Sequence, residues 1–476
     1  MESEQRRTGL KAGITVGENV GGTRRRRALA GLALLGGGTA LAACGPTPGG
    51  TSETQSQGPV TIKLSMWDYN PQIVRDNLDT FEKANPGIKV EGPETGPCCD
   101  EYRKRMTTAF LAGERTDAMY MRDEDAAEWA EAKWVLPLDN MPGAKDLTRD
   151  EYPFITEQTN YKGKKYGTIY YVGPVIAFYN KELLKQAGFA RPPATYDEFR
   201  QQAVQIKRQR INGVEFPRYG APGEGDLENW YLASGKRMFD EDLQPTFGKD
   251  ALFKDILDKL YQGYTGDQIF GNDSGGPTAF DNGKAAYSWG SFYDLKRLNG
   301  LAQATGSQSG GAIAGGSAAG QLTNYVNPSF VAGKTGTQAI CRQYAIFSGT
   351  KYPQQAWKLI SFLGGKDEAG KYTVAKRWWV EQGLNFGYKS MAEDPEIKKF
   401  VEAWGDLDSY NKVLLAASPR PGVKAPWSAL WRTEFTKAVT EVMEGKLTSK
   451  DAVERGVQLW NTMRQDFERT KGTTSR

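Results

Sequence analysis

The chain has 476 residues, too many for one ordinary core and suited to two domains. It contains no histidine, which excludes Ser-His-Asp and Cys-His catalysis and any His-ligated zinc or iron site. The formal charge is +4, but residues 1–43 hold seven Lys/Arg against three Asp/Glu, so the remainder is balanced and gives no compositional reason to expect nucleic acid or anionic lipid as a partner.

Residues 1–23 are polar, residues 24–27 are four arginines, and residues 28–43 are apolar. That apolar run is short for a membrane span and contains Gly36, Gly37 and Gly38, so it reads as an export segment covering 1–43. It ends Leu41-Ala42-Ala43-Cys44-Gly45, which resembles the lipobox of bacterial lipoproteins. Cys44 would then carry lipid and become the first mature residue. The arginine block after Thr23 also resembles a twin-arginine signal, with an ordinary basic leader as the alternative. Residues 44–58 are the lipidated Cys and a Gly/Ser/Thr/Pro/Gln tether that cannot bury a core.

The body begins with Val60, Ile62, Leu64 and Met66 alternating with polar residues, a strand of period two. It runs into Trp67-Asp68-Tyr69. Asn70 then predicts a helix N-cap with Pro71 at the first position, and Val74, Leu78 and Phe81 share a face. Residues 88–90 give a second strand. Asp100 predicts the cap of a helix to Ala112. Residues 117–121 give a third strand, followed by Arg122-Asp123-Glu124-Asp125. Strand–helix alternation predicts a mostly parallel sheet covered by helices, and ligands bind beyond the carboxyl ends of such strands.

The stretch 161–180 organises the rest. Two extended runs, 166–172 and 175–179, are split by Gly173-Pro174, and Pro cannot donate within a central strand. The pattern predicts a strand that leaves one sheet, turns and enters another, with Tyr170 and Tyr171 beside the gap. Thr195 with Glu198 predicts a capping box, and Asp250 caps an apolar stripe from Leu252 to Tyr261. An aromatic loop follows around Trp289-Gly290-Ser291-Phe292. Residues 300–320 read as loop, 343–347 as strand, and Trp378-Trp379 as loop; the C-terminus is helical. Gly333-Lys334-Thr335 matches the end of a phosphate-binding loop, but Pro328 stands where its first Gly is required.

Several segments together resemble the bacterial extracellular solute-binding proteins that serve sugar ABC importers, the maltose-binding-protein-like group. They include Phe81-Glu82-Lys83 with Pro86-Gly87-Ile88-Lys89-Val90, Trp134-Val135-Leu136-Pro137-Leu138, Phe178-Tyr179-Asn180-Lys181-Glu182-Leu183-Leu184, Pro192-Pro193-Ala194-Thr195-Tyr196-Asp197-Glu198-Phe199 and Gly283-Lys284-Ala285-Ala286. The resemblance implies an α/β, two-lobe periplasmic-binding-protein fold of the class II type, each lobe a mostly parallel sheet with flanking helices, hinged by crossovers. Lobe one would be 59–174 plus 341–396 and lobe two 178–338 plus 400–470. The protein would be a non-catalytic, cofactor-free monomer on the outer face of the cytoplasmic membrane. It would deliver a mono- to oligosaccharide to permease subunits, touching membrane only through its lipid. The alternatives are a polyol, a glycerol-phosphate-type compound or a peptide on the same fold, or a surface glycoside hydrolase.

Sugars need aromatic faces for their CH surfaces and charged or amide groups for their hydroxyls. Trp67, Asp68 and Tyr69 are candidates at one strand end, Arg122 and Asp123 at another, and Tyr171 at the crossover. Family positions add Trp230, Trp289, Phe292 and Trp431; Glu224 is a further polar candidate and Trp378 a further aromatic one, with core packing as the alternative for Trp378. No metal site is expected. An oxidising compartment permits a bridge from Cys98 or Cys99 to Cys341, with a vicinal Cys98–Cys99 disulfide as the alternative.

Overall fold

The computed structural model describes residues 59–67, 70–93, 99–114, 116–271, 279–298 and 317–474. The export segment, Cys44, the tether, Asp68, Tyr69, Cys98, the Cys99 side chain and most of the Gly-rich stretch 300–320 lie outside them.

Thirteen strands form three sheets among the described residues. They are β1 (Val60–Ser65), β2 (Ile88–Glu91), β3 (Ala118–Arg122), the hairpin β4 (Asn160–Tyr161) and β5 (Lys164–Lys165), β6 (Thr168–Pro174), β7 (Ile176–Asn180), β8 (Arg218–Tyr219), β9 (Phe270–Gly271), β10 (Tyr287–Gly290), β11 (Leu322–Tyr325), β12 (Thr337–Ile346) and β13 (Ala417–Pro419). The first large sheet runs β13-β12-β3-β1-β2, with β6 also paired to β12. The second runs β11-β7-β10-β8-β9. Pairing is parallel among β1, β2 and β3, and antiparallel where β12 meets β3 and β6. In the second sheet β10 pairs antiparallel with β7 but parallel with β8.

Local signals explain the elements. The Asn70 side chain accepts from the Ile73 N–H, and the helix Pro71–Ala84 buries Val74, Leu78 and Phe81. Thr195 caps Tyr196–Gln209 through the Glu198 N–H, and Asp250 caps Ala251–Thr265 through the Leu252 N–H. Two expectations change. The helix expected from an Asp100 cap spans Cys99–Ala112, so Asp100 lies inside it. Trp378 and Trp379 sit in the helix Thr373–Gln382, where both are buried; an amphipathic turn there was hidden by the charged residues around it.

The predicted break is where the chain changes sheets. β6 belongs to the first sheet, β7 to the second, and only Val175 separates them. Along β7 the side chains alternate between two cores: Ile176 and Phe178 join the first, Ala177 joins the second. The return crossing, between β11 and β12, is tied to the first at this point. The Val175 N–H donates to the Gln338 carbonyl at 3.0 Å. Buried Asn327 accepts from the Ala177 N–H at 2.8 Å and donates to the carbonyls of Val175 and Gly336 at 2.7 and 3.3 Å. The segment 400–470, expected in the second lobe, contains β13, which pairs with β12 in the first sheet.

Cys341 corrects the disulfide expectation. It is a free, fully buried thiol in the middle of β12, paired in register with Val172. Burial pushes its pKa well up, so it is held protonated.

Asn327→Ala would leave three backbone groups at the crossings without that partner. It is expected to cost about 2–4 kcal/mol in urea unfolding of the free protein; a loss below ~0.5 kcal/mol would show that the crossings hold without it.

Candidate functional site

β3 ends in Arg122, and the next residues open the helix Asp123–Glu131 with three buried acids, Asp123, Glu124 and Asp125. Carboxylates suit a helix N-terminus. Arg122 folds back onto them. Its Nε and Nη2 donate to the two Asp125 oxygens at 2.7 and 3.0 Å, and its Nη1 reaches Asp100 at 3.0 Å and Glu124 at 3.2 Å. Antiparallel pairing places Arg342 of β12 opposite Arg122, and Arg342 Nη1 reaches Asp123 at 2.6 Å and Glu124 at 3.3 Å. Arg420, just beyond β13, also pairs with Glu124.

The second half supplies a matching set. The helix Glu224–Ala233 carries Glu224 and Glu228 one turn apart. Arg432, from the helix Ser428–Met443, binds both, reaching Glu228 at 2.7 Å, and donates to the Pro421 carbonyl at 3.2 Å. Glu124 and Arg432 also act on each other electrostatically, so the two sets form one buried network.

Burial and the adjacent Glu124 push the Asp123 pKa up to about 6, against the pull of Arg342 and Arg420. Burial also works against the Glu124 charge, but Arg420, Arg342 and Arg122 hold its pKa well below the usual carboxylate range. Glu228 is raised by burial and by Glu224. Asp123 Oδ2, Glu228 Oε1 and the Nε atoms of Arg342 and Arg420 are buried and have no hydrogen-bond partner within the protein. A buried polar atom left so costs on the order of 1–3 kcal/mol, which a ligand offering both donors and acceptors would recover.

A cavity of about 410 Å³ lies beside this network at the crossover, lined by Trp67, Tyr171, Pro174, Phe292, Tyr293 and Tyr410 among others. Tyr171 joins the two: it lines the cavity, pairs in register with Arg342 and shares a side-chain hydrogen bond with it.

The candidates therefore separate. Trp67, Tyr171 and Phe292 come together at the cavity, and Arg122, Asp123 and Glu224 lie in the charged network. Trp289 is half-buried, with its ring 5.0 Å from Trp230 and under the Arg218 guanidinium at 5.5 Å. Three tryptophans are core in this structure. Trp230 packs on Tyr196 and Phe199 at 5.3 and 5.9 Å, and Trp378 meets Tyr170 edge-on at 5.9 Å. Trp431 stacks on Phe435 at 4.9 Å, and its indole N–H donates to the Gly456 carbonyl. The ligand-stacking role expected for these three meets side chains already enclosed by protein; Trp67 and Phe292 are as deeply buried, at 1% and 2% exposure, but border the cavity. Arg342, Arg420, Arg432, Glu124 and Glu228 were not singled out from sequence. The available signal was Arg342, a lone charge inside the apolar strand Thr337–Ile346.

The family model for bacterial extracellular solute-binding proteins matches residues 68–370. This chain belongs to that family. Its members are solute-binding proteins rather than enzymes. A mannitol-binding protein of Pseudomonas aeruginosa is 28% identical over 201 residues, 40% of this chain and 45% of that protein, so the match spans less than half of the relative. A binding protein of Brucella abortus is 24% identical over 66% of this chain and 74% of its own. Among solved structures, maltose-bound MalE3 of T. maritima superposes with a TM-score of 0.68 at 18% identity, over 85% of this chain and all of that one. A solute-binding protein of Agrobacterium vitis with bound D-mannitol gives 0.61 at 22% identity, over 85% and 98%. These likenesses establish the two-lobe α/β fold. No helix among the described residues is long and apolar enough to cross a membrane.

Trp431→Ala is expected to lower the stability of the unliganded protein by about 3–5 kcal/mol, measured by urea unfolding. A raised Asp123 pKa favours the folded state most where the group is protonated. The wild type should therefore be more stable relative to Asp123→Asn at pH 4 than at pH 7.5, by on the order of 1 kcal/mol, with the advantage lost as pH rises through about 6. An unchanged difference across that range would count against it.

Proposed function

We propose that this protein captures a sugar or sugar alcohol between its two lobes, outside the cytoplasmic membrane, and hands it to the permease of an ABC importer. The observation that carries the reading is the buried Arg/carboxylate network with unpartnered donors and acceptors, drawn from the first sheet and from the helices Glu224–Ala233 and Ser428–Met443, and joined to the crossover cavity through Tyr171. Hydroxyls both donate and accept, so a polyhydroxylated, uncharged solute completes such a network without adding net charge. The sugar- and mannitol-bound relatives point the same way.

In this reading Glu124, Asp123, Arg342, Arg420, Arg432, Glu224 and Glu228 orient hydroxyls, while Trp67, Tyr171 and Phe292 cover carbon faces. Lobe one is 59–174 with 341–396 and β13, and lobe two is 178–338 with the C-terminal helices. Ligand shifts the balance of open and closed arrangements, because contacts from both lobes exist together only when the lobes meet. Cys44 carries the lipid that tethers the body through residues 45–58.

A thermal-shift screen of mature protein against sugars and alditols tests this. A true ligand at about 100 times its Kd should add about 2.7 kcal/mol. Glu124→Gln and Tyr171→Phe, each with an unchanged circular dichroism spectrum, should weaken binding roughly 10-fold or more. Absence of binding by every sugar and alditol would overturn the assignment. Separately, Cys44→Ala should release the protein from the membrane fraction into the medium.

A further inference from the structure

A second cavity, of about 540 Å³, shares no lining residue with the cavity at the crossover. One wall comes from the first half: Asn160 and Tyr161 of the β4–β5 hairpin and Glu157 of the helix Pro153–Thr159. The other comes from the C-terminal part: Trp427, and Phe467 on the helix Ser449–Thr474. The Trp427 and Phe467 rings are 5.3 Å apart, and Trp460 backs Trp427 at 5.4 Å. Trp427 is thus held by aromatic neighbours while part of its surface stays accessible, and its buried indole N–H has no partner within the protein.

We infer that this cavity is a second carbohydrate site, which takes a neutral pyranose sugar of one or two rings against Trp427. The chemistry around the aromatic wall selects that class. Lys424 and Arg464 donate, Glu157 and Asp242 accept, and Asn160 does both. Lys424 and Arg237 approach Glu157 at only 3.5 and 3.7 Å, loose pairs that a hydroxyl can enter. An anionic ligand would face Glu157, Asp242 and Glu468; an alkyl chain would strand the charged rim. A sugar gives its CH face to an indole and its hydroxyls to donors and acceptors of both kinds. The volume lies within the usual range for small-ligand sites. Because the walls come from both halves of the chain, a sugar here bridges them.

The test uses mature protein labelled with 5-fluorotryptophan, with the Trp427 fluorine resonance assigned by Trp427→Phe. Glucose and maltose are titrated into the wild type and into Glu124→Gln, which weakens the crossover site. The Trp427 resonance should move saturably in both. Tyr161→Ala should abolish that movement while leaving crossover-site affinity, read by calorimetry, within about twofold. If Trp427→Phe fails to fold, the resonance that responds in wild type and is lost in Tyr161→Ala serves as the assignment. A Trp427 resonance unmoved by both sugars in Glu124→Gln would overturn the second site, whether or not the first site binds them.

Discussion

Val175 is the point through which the two halves of this molecule are held together. Its N–H is bound to the Gln338 carbonyl, and its own carbonyl receives both Asn327 and Thr337. The two crossings of the chain between the sheets are therefore locked side by side. Backbone groups at such a crossing have left one ladder and not yet joined the next, and burial forbids leaving them unpaired. One asparagine side chain, with an acceptor and two donors, satisfies three of them. Gly336 belongs to the same joint, since a Cβ there would stand 2.4 Å from the Leu232 carbonyl oxygen. The joint fixes which sheet each strand belongs to, and so which side chains arrive at the cavity beside it.

The charged network follows from that arrangement. β12 runs antiparallel to β3, so Arg342 falls opposite Arg122, and the acids that open the next helix lie within its reach. Arginine suits such a place because it stays charged when buried and its fork binds two carboxylates at once. Buried ion pairs add little net stability when complete, yet breaking one costs about 3–5 kcal/mol. Such a network is therefore a poor way to stabilise a fold and a good way to recognise a polar solute. Burial, and then a neighbouring carboxyl, raises the pKa values of Asp123 and Glu228, which favours their protonated forms, able to donate as well as accept.

Much of the fold was legible in local pattern. The alternation in β1, the Asn70-Pro71 start, the Thr195 and Asp250 caps and the break after Gly173-Pro174 all rest on backbone rules that act within a few residues. The candidate site was legible in part. Tyr171, Trp67 and Phe292 were reachable because strand ends and the crossover mark where ligands gather. Trp230, Trp378 and Trp431 were not separable from them. An aromatic residue on a helix has the same sequence appearance whether its face meets solvent or Phe435. The arginines Arg420 and Arg432 lie about 300 residues from the acids of the first half that they serve, and no local pattern records that meeting.

By itself the sequence determined the two-sheet α/β body, its helix starts, the sheet change near Gly173-Pro174 and the family resemblance, because each depends on short-range periodicity or on motifs in order. Only the tertiary structure decided that β13 closes onto the first sheet, that Cys341 is an isolated thiol, that three expected stacking tryptophans are core, and that arginines from three distant segments gather around one helix start. Those outcomes depend on which strands pair and which helices pack, and long-range pairing brings residues together without leaving a mark between them.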